Sequence, residues 1–476
     1  MRTQNEKGIA LVLSLFLLSA MSVIAASLMF LSQTETYSSM NYRLMSQARY
    51  GAESGIQKAA NHLLYSYVVP ATAGADPIAN YNINVSPVTF NNQPVVLSAN
   101  ATKPSNYPVA AVQTAFLAAV QGTLAAGNTT VAYAPYATLL SMQQIDVYGG
   151  GVETIQTWQI TSTGSITAGR TAQVEVSATL ETPKFPATLY GAFGTAPTCG
   201  ALKFGGNTQS NSYDSTAALV GGTPVISNSG GNVGTNGNMT ESGSADIFGT
   251  LSTPRVGIGN CSDGNVDALS TSGGATINGH KPPEAGDVIT LPQAVSLPTP
   301  VVPPGVPTTA YNGNNQILLN GASVGNVTCT GGTLTLGAVG VTSTINMNSL
   351  SLTGNCELNI LGTVVLNVVG AGTTTPFDTT GGSLANQSAT FDPATFQIMY
   401  AGTDNIKLTG NSKAIGMLYA PNAAITVTGN NDFYGSIVGK TVETTGSSQI
   451  HYDRHLSSTF FMVGNPMMSS FSWKKY

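Results

Sequence analysis

Three polar residues near the end of the chain have the types and spacing to bind a metal ion. His451, Asp453 and His455 alternate, so on a β-strand their side chains would share one face. Two histidines and one carboxylate can hold a transition metal with open coordination positions. The alternative is a polar strand end at which Asp453 pairs with Arg454 or caps a turn, and we favour that alternative.

A second group resembles part of a calcium-binding loop. Asp263, Asn265 and Asp267 repeat the spacing of the first three oxygen ligands of an EF-hand loop. That loop needs glycine at position six and glutamate at position twelve, where this chain has Ala268 and Gly274. We favour a solvated turn here, so calcium is the one cofactor that the sequence leaves open.

Two short motifs resemble catalytic signatures without their context. Gly435 to Thr441 resembles a phosphate-binding P-loop but has one residue too few between its glycines, and β-like sequence follows it where a helix is needed. Gly321 to Gly325 fits the G-x-S-x-G pattern of a nucleophile elbow, which also requires a following helix. Acidic residues after Phe185 are few and scattered. We therefore expect no enzymatic activity.

Four cysteines, Cys199, Cys261, Cys329 and Cys356, have no spacing typical of a zinc site. In an exported protein they could form two disulfides, with three possible pairings. Cys329 and Cys356 are the nearest pair in sequence, and the pairing stays open.

Composition narrows the class of protein. Charged residues make up 8% of the 476 residues, against about 25% in ordinary soluble domains, and the net charge is −5. This balance argues against a nucleic-acid partner, which requires basic surfaces. Hydrophobic residues at 42% exclude a wholly disordered chain, and 53 Gly with 24 Pro indicate a turn-rich β protein.

The elements that would position all these groups begin with an apolar segment. No residue from Gly8 to Thr34 is charged, a run longer than the roughly 20 residues that a helix needs to cross a membrane. Arg2 and Lys7 precede it, on the expected cytoplasmic side. The run is too long for the apolar part of a secretory signal peptide, which has about 7–15 residues. The sequence therefore predicts a membrane-spanning helix.

The helical pattern continues past the apolar run. Small or apolar residues recur every three or four positions from Tyr37 to Leu63, and no proline occurs before Pro70. Arg49 and Glu53 are four residues apart and can form an ion pair on the helix surface. We predict one continuous helix from Ile9 to Leu64, apolar in its first half and amphipathic in its second.

These features resemble the N-terminal domain of PilX-type minor pilins of type IV pilus systems. The residues that carry the resemblance are Lys7 and Gly8 before the apolar helix, and the segment QARYGAESGIQKA from Gln47 to Ala59, which includes Glu53. The resemblance implies that residues 1–8 are a leader which prepilin peptidase removes after Gly8. It also implies N-methylation of the new N-terminal residue, Ile9.

The apolar helix departs from the pilin pattern at one residue. Major pilins carry a glutamate five residues into the mature helix, where this chain has Leu13. In that family the carboxylate is thought to pair with the N-terminal amine of a neighbouring subunit. The resemblance therefore implies a priming or tip position for a subunit that lacks it. The alternative is an ordinary signal anchor that is never cleaved.

Residues 65–185 are expected to form a small α/β head. The segment 109–127 has helical spacing and ends on Gly127, and two alternating segments around Gly164 to Gly169 predict a β-hairpin. Trp158, in the first of these strands, is expected in the core.

Residues 186–476 are rich in Gly, Asn and Thr. Thr-Gly turns recur at Thr409, Thr428 and Thr445, which favours a parallel β-solenoid, with a β-sandwich as the alternative. Residues 291–311 contain six prolines and are expected to form an extended strap or linker. The stretch from Tyr419 to Asp453 resembles the C-terminal domain often attached to PilX-type proteins. The expected fold class is thus α+β: a long pilin-like helix, a small α/β head and a large C-terminal β domain.

The resulting functional hypothesis is a minor pilin-like structural subunit that primes or caps a type IV pilus and displays its β domain, with adhesion as one use. Its expected partners are the inner membrane, prepilin peptidase, other minor pilins and the major pilin, together with a pilus-tip adhesin or a surface glycan. We expect it in the bacterial inner membrane with its C-terminal domain outside the cytoplasm, and then at a pilus tip or the cell surface. The alternatives are a tip pseudopilin of type II secretion and a membrane-anchored β-solenoid protein that acts on polysaccharide.

Overall fold

The computed structural model describes residues 6–71, 76–146, 152–186, 189–262, 264–380, 390–410, 413–463 and 466–475. The chain divides into two compact units. The first, here called the head unit, comprises Met1–Ile145, Glu153–Pro183 and Val463–Tyr476. The second comprises Asp146–Val152 and Lys184–Met462.

The helices and the first strands follow the order of the chain. Helix α1 spans Glu6–Tyr65 and α2 spans Ala110–Val120, with a 3-10 turn at Ile78–Asn80. The strands up to the second unit are β1 Thr89–Phe90, β2 Gln93–Pro94, β3 Val96–Ser98, β4 Gly122–Ala126, β5 Thr129–Asp146, β6 Val152–Thr167 and β7 Thr171–Glu181.

The remaining elements are short strands followed by longer ones that run around corners. They are β8 Lys184–Pro186, β9 Ala192–Gly194, β10 Leu202–Phe204, β11 Gln209–Tyr213, β12 Val233–Thr235, β13 Met239–Glu241, β14 Asp246–Ile247, β15 Leu251–Thr253, β16 Leu269–Thr271, β17 Thr276–Ile277, β18 Val288–Thr290, β19 Ala310–Asn312, β20 Ile317–Leu318, β21 Ser323–Val368, β22 Phe377–Asp378, β23 Phe396–Tyr400, β24 Ile406–Gly410, β25 Lys413–Gly429, β26 Asp432–Gly446, β27 Gln449–Asp453, β28 Phe461–Val463 and β29 Met467–Lys475. A 3-10 turn lies at Pro393–Thr395 and the short helix α3 at Leu456–Thr459.

The head unit contains a six-stranded sheet in the order β29-β7-β6-β5-β3, with β4 also paired to β5. The predicted hairpin is confirmed: β6 and β7 pair antiparallel up to Thr167 opposite Thr171, with Gly169 at positive φ in the turn. The chain leaves this sheet after Glu181 and returns to pair Met467 opposite that same residue. The second unit is therefore an insertion between two neighbouring strands of the head.

The helix predicted over 109–127 is wrong in its second half. Helix α2 ends at Val120, and the next residues form β4, which pairs with β5 from Gly122 opposite Tyr133 to Ala126 opposite Thr129. Gly127 has a φ of 67° in the hairpin turn. Leu and Ala favour helix locally, but cross-strand pairing with β5 decides the conformation here.

The second unit is a parallel β-solenoid. Its first three coils are β9 to β11, β12 to β14 and β15 to β17, and each strand pairs in parallel with its counterpart one coil later. The later strands β19 to β27 form further parallel coils. Buried Val, Ile, Leu and Phe side chains fill the interior. The α+β class and the solenoid are thus confirmed.

The coils are not stacked in the order of the sequence. The first coil pairs on its other side with the last, because β9 and β10 pair with β26 and β11 pairs with β27. The second and third coils extend from the first in one direction, and the coils from β19 to β25 extend from the last in the other. The chain therefore enters the stack in its middle.

The proline-rich segment connects the two ends of this stack. It runs from Leu291 to Thr309 without regular structure, and β19 begins at Ala310. Asn236 of the second coil exchanges hydrogen bonds of 2.8 and 2.9 Å with the backbone of Val295. Further along, Tyr419 donates to the Pro298 carbonyl at 2.6 Å. The segment is thus fastened along the solenoid surface as a strap.

One corner of the solenoid is lined by a ladder of glycines with positive φ: Gly429, Gly446, Gly206, Gly243 and Gly273. A Cβ on each of the last four would lie 2.5–2.7 Å from the carbonyl oxygen of the glycine before it in this ladder. Only glycine fits such a left-handed, closely stacked corner. Two of the Thr-Gly turns recognised in the sequence are therefore neighbours in this ladder.

Candidate functional site

The first half of α1 presents apolar side chains on all sides. From Ile9 to Leu31 the large apolar residues are more than half exposed, including Leu13 at 64%. Among the described residues α1 is the one helix long and apolar enough to cross a membrane, with a mean hydropathy of 2.5 in its most apolar window. Such an all-round apolar surface suits lipid or the apolar helices of other subunits.

The serines within this apolar segment are hydrogen-bonded to the backbone of the helix. Ser14, Ser19, Ser22 and Ser27 each donate a hydrogen bond of 2.8–3.0 Å to a backbone carbonyl three or four residues earlier. Between Ile9 and Leu31 these serines would therefore not be stranded in a hydrocarbon environment. The predicted cleavage position after Gly8 lies within α1, whose side chains are described from Ile9 onward.

The second half of α1 is seated on the sheet of the head unit. Ala48, Ala52 and Ala59 are completely buried, and Ile56 is 1% exposed. Strand β6 comes so close that a Cβ on Gly164 would lie 2.0 Å from the Ala48 carbonyl oxygen and 2.6 Å from the Ala52 nitrogen. Helix and strand thus meet backbone to backbone.

The glycines of the helix contribute to the same close contact. A Cβ on Gly51 would lie 2.3 Å from Cγ1 of Val131, and one on Gly55 would lie 2.2 Å from Oγ of Ser162. These glycines belong to the segment QARYGAESGIQKA, so its small residues are explained by packing against β5 and β6. The sequence missed the partner Gly164, although a glycine that interrupts an alternating strand is a known sign of close backbone approach.

Charged residues lie at both ends of the contact between α1 and the head sheet. Arg49 donates to the Glu53 carboxylate at 2.8 Å, which confirms the ion pair expected from their spacing. The Arg49 guanidinium also lies 5.9 Å from the Trp473 ring on β29. At the other end, Arg170 of the β6–β7 turn lies 4.8 Å from the Tyr37 ring. Exposed contacts of this kind orient the helix and contribute little stability.

A buried polar network fixes the chain that follows α1, and no motif predicted it. The Tyr107 and Tyr81 hydroxyls donate to the Asp76 carboxylate at 2.6 and 2.8 Å. The Tyr67 hydroxyl lies 2.9 Å from that of Tyr107 and accepts from Gln156 at 3.2 Å. Burial raises the pKa of Tyr67 to about 12, so its hydroxyl keeps its proton and stays a donor.

The expected core position of Trp158 is confirmed, since this residue is 3% exposed. Its indole nitrogen donates to Gln156 at 3.0 Å and so joins the same network.

The histidine proposed for a metal site has other partners. His451 is buried, its Nδ1 is hydrogen-bonded to Asn211, and its ring lies 4.4 Å from that of Tyr434. Its Nε2 is 3.7 Å from Asp432. These contacts bind the last coil to the first, which is a structural use of the side chain.

The alternation of that set ends at Asp453. This residue is the last of β27, and His455 lies beyond the strand, directly before α3. The Asp453 Oδ1 accepts backbone hydrogen bonds of 3.1 Å from Ser215 and from His455, and burial raises the pKa of its carboxyl. Within the described part of the chain, no three His, Cys, Asp or Glu side chains converge as metal ligands. Asp453 thus accepts backbone hydrogen bonds at the end of the strand.

The calcium-like loop is described only in part, because Asp263 lies outside the described residues. Asn265 Nδ2 lies 3.4 Å from the Asp267 carboxylate. That carboxylate faces Gly257 and Gly259, at which a Cβ would lie 2.9 and 2.8 Å from its oxygens.

Two disulfides are present in the solenoid. Cys199 is bonded to Cys261, and Cys329 to Cys356. The second joins two neighbouring coils within β21, and the first ties the segment after β15 to the first coil.

The two motifs that resemble catalytic signatures are followed by strand and not by helix. Strand β26 continues through Lys440 in the P-loop-like motif, and β21 begins at Ser323 in the G-x-S-x-G motif.

Comparison with protein families supports the pilin resemblance for one part of the chain. Residues 7–57 match the model described as PilX N-terminal. The match covers the apolar half of α1 and most of the half that packs on the head sheet. Residues 324–459 match a domain of unknown function, DUF7305. A comparison with curated proteins finds no match.

Among solved structures, the chain is similar to the competence-associated pilin ComZ from Thermus thermophilus. The identity is 13%, with 91% of this chain and 98% of that chain covered, at a TM-score of 0.25. A TM-score this low carries no argument about fold or function, so the N-terminal family match is the informative comparison.

Proposed function

We propose that this protein, which carries a PilX-type N-terminal segment, is a minor pilin-like structural subunit of a type IV pilus system. The observation that carries the proposal is the division of α1 into two halves. The half from Ile9 to Leu31 is apolar and exposed on every side, and the half from Leu44 to Leu63 is packed into the head. A helix built in this way can move from a membrane into a bundle of similar helices while its head stays folded.

Processing follows from the same segment. Prepilin peptidase would cleave after Gly8 on the cytoplasmic face of the inner membrane, and the new N-terminus at Ile9 would be N-methylated. Until assembly, the subunit would stay in the inner membrane with the head and the solenoid outside the cytoplasm.

Leu13 supports a priming or capping position. A carboxylate in hydrocarbon is costly unless it is paired, so in major pilins the helix glutamate favours docking against the amine of a neighbour. Leu13 offers no such partner to a subunit that is already in place. This protein would therefore be placed first, with other minor pilins and the major pilin added beneath it.

The solenoid is the part that such a subunit would display at a pilus tip or the cell surface. Its polar side chains are mainly uncharged Asn, Ser and Thr, which suit contact with a surface glycan or with a tip adhesin. The mechanism is assembly and presentation, without turnover of a substrate.

A tip pseudopilin of type II secretion is the second candidate, because Leu13 would serve a cap of that filament equally well. Surface pili labelled with antibody against the solenoid favour the first function. Label confined to the periplasm favours the second.

The experiment that tests the proposal is intact-mass analysis of the protein from native membranes. We expect a chain that begins at N-methylated Ile9, and a Gly8→Asp variant should remain uncleaved. A wild-type chain that keeps its residues before Ile9 would refute processing as a pilin and leave a permanently anchored surface protein.

A further inference from the structure

The two ends of the solenoid differ sharply in charge. From Val288 to Cys356 the sequence contains no acidic, basic or histidine residue, and this stretch includes the complete terminal coil of β19 and β20. The opposite end, around β16 to β18, carries Asp267, His280, Lys281 and Asp287. One end of the stack is therefore electrically neutral.

The uncharged end also has open strand edges. Strands β19 and β20 each pair with β21 on one side, and within residues 264–380 nothing pairs with their other side. At the opposite end, by contrast, Ile258 forms a bridge to Leu269 of β16, and the Cys199–Cys261 disulfide holds this covering segment in place. One end is covered and the other is bare.

Apolar side chains surround the bare edge. Ile317 is 64% exposed and Leu319 56%, and they project on the same side because they are two residues apart in an extended chain. Val339, 80% exposed, lies on the next coil, in the part of β21 between the residue paired with Leu318 and the residue hydrogen-bonded to Gly321. Natural proteins protect exposed edges with charged residues or proline, and residues 310–320 contain neither.

We propose that this bare end binds a second copy of the same chain, end to end, through paired β20 edges. A contact related by a two-fold axis brings the same patch of both copies together, so a charge close to the axis would face its own copy. The complete absence of charge removes that penalty and also removes the complementary charges by which a different partner would be selected. Since the other end is covered and charged, the contact closes as a dimer and does not continue as a fibre.

The dimer adds a β-ladder across the axis. Antiparallel pairing of β20 with its copy provides hydrogen-bond partners for the open backbone groups of both β20 strands. It also removes Ile317 and Leu319 of both chains from water.

The test is the association state of the full chain in lipid nanodiscs that hold one copy each, measured by sedimentation velocity over a range of concentrations. We expect paired discs that dissociate on dilution. Ile317→Lys should raise the dissociation constant at least about a hundredfold, because like charges then meet across the axis. The matched control is Val220→Lys, which charges an apolar residue of similar exposure, 67%, elsewhere in the solenoid and should leave the pairs intact.

A charge exchange makes the test specific. Ile317→Lys and Ile317→Glu chains should each remain single, and their mixture should form pairs again. Single discs at every concentration of the wild-type chain would overturn the proposal. Pairing that survives Ile317→Lys, or a mixture that fails to pair, would also overturn it. Equal thermal unfolding of all variants shows that the solenoid stays folded.

Discussion

Gly164 lies directly against the backbone of Ala48, so that a single added carbon would come within 2.0 Å of the Ala48 carbonyl oxygen. This contact sets the distance between α1 and the head sheet. It also explains why alanines and glycines occupy the face of α1 that packs on this sheet.

Replacing Gly164 should therefore weaken the packing of α1 on the head sheet. We expect Gly164→Ala to lower the free energy of unfolding of the head by about 1–3 kcal/mol, because backbone atoms cannot move aside as a side chain can. Chemical denaturation of the full chain, followed by the fluorescence of Trp158 and Trp473, measures this loss. The control is Gly169→Asn at the hairpin turn, where no atom lies within 4 Å and asparagine tolerates the positive φ. Equal stability of the two variants would contradict the packing argument.

Introducing a carboxylate at Leu13 should change where the subunit lies in the pilus. If the absence of the helix glutamate restricts the protein to a tip, Leu13→Glu allows it to dock beneath other subunits and raises its copy number along the filament. Immunogold labelling of sheared pili counts these positions. Leu13→Gln, which is polar but uncharged, serves as the control. Label that stays at one end of pili in the Leu13→Glu strain would argue that another feature fixes the position.

The disulfides should stabilise the solenoid by restricting its unfolded chain. The Cys329–Cys356 bond joins residues 27 apart, so replacing both with serine should lower the free energy of unfolding by about 3–4 kcal/mol. The Cys199–Cys261 bond spans 62 residues, and its removal should cost about 0.7 kcal/mol more. Urea unfolding of the two double variants compares them directly. A smaller loss for the longer span would show that strain or residual structure outweighs chain entropy.

Glu241 should make the stability of the solenoid depend on pH. Its side chain is fully buried, neither carboxylate oxygen has a partner among the described residues, and burial raises its pKa from 4.5 to about 8. The folded state therefore holds a proton that the unfolded state releases. Stability from this group is complete below about pH 4.5 and is lost as the pH rises to about 8.

The isosteric variant Glu241→Gln checks this dependence. It should be more stable than the wild type near pH 8, and the decrease between pH 4.5 and 8 should disappear from its urea midpoints. An unchanged pH profile would assign the slope to other groups, of which the nearby Asp246 carboxylate is the first to examine.

The parts of the fold that were predicted from sequence depend on local pattern. Both ends of helix α1 could be predicted to within three residues. The uncharged run is followed directly by a stripe of small residues, and no proline interrupts the two. The β6–β7 hairpin was visible because alternating segments surround a glycine-containing turn. The solenoid was visible because its Thr-Gly corners repeat.

What the sequence did not predict depends on distant partners. The end of α2 is set by the pairing of β4 with β5, which overrides the helical preference of Leu124 and its neighbours. The Asp76 network joins residues from four separate segments, and the contact of Gly164 with Ala48 crosses more than a hundred positions. Spacing within a short window contains no information about such pairs.

The stacking of the first coil against the last sets the order in which the solenoid can form as the chain is made. Strands β9 to β11 come early in the unit, yet one of their two neighbours is supplied by β26 and β27, near its end. Until those strands are added, the early coils keep an open edge that another chain can bind. Completion of the unit therefore acts as a quality check, since only a complete solenoid closes its own stack.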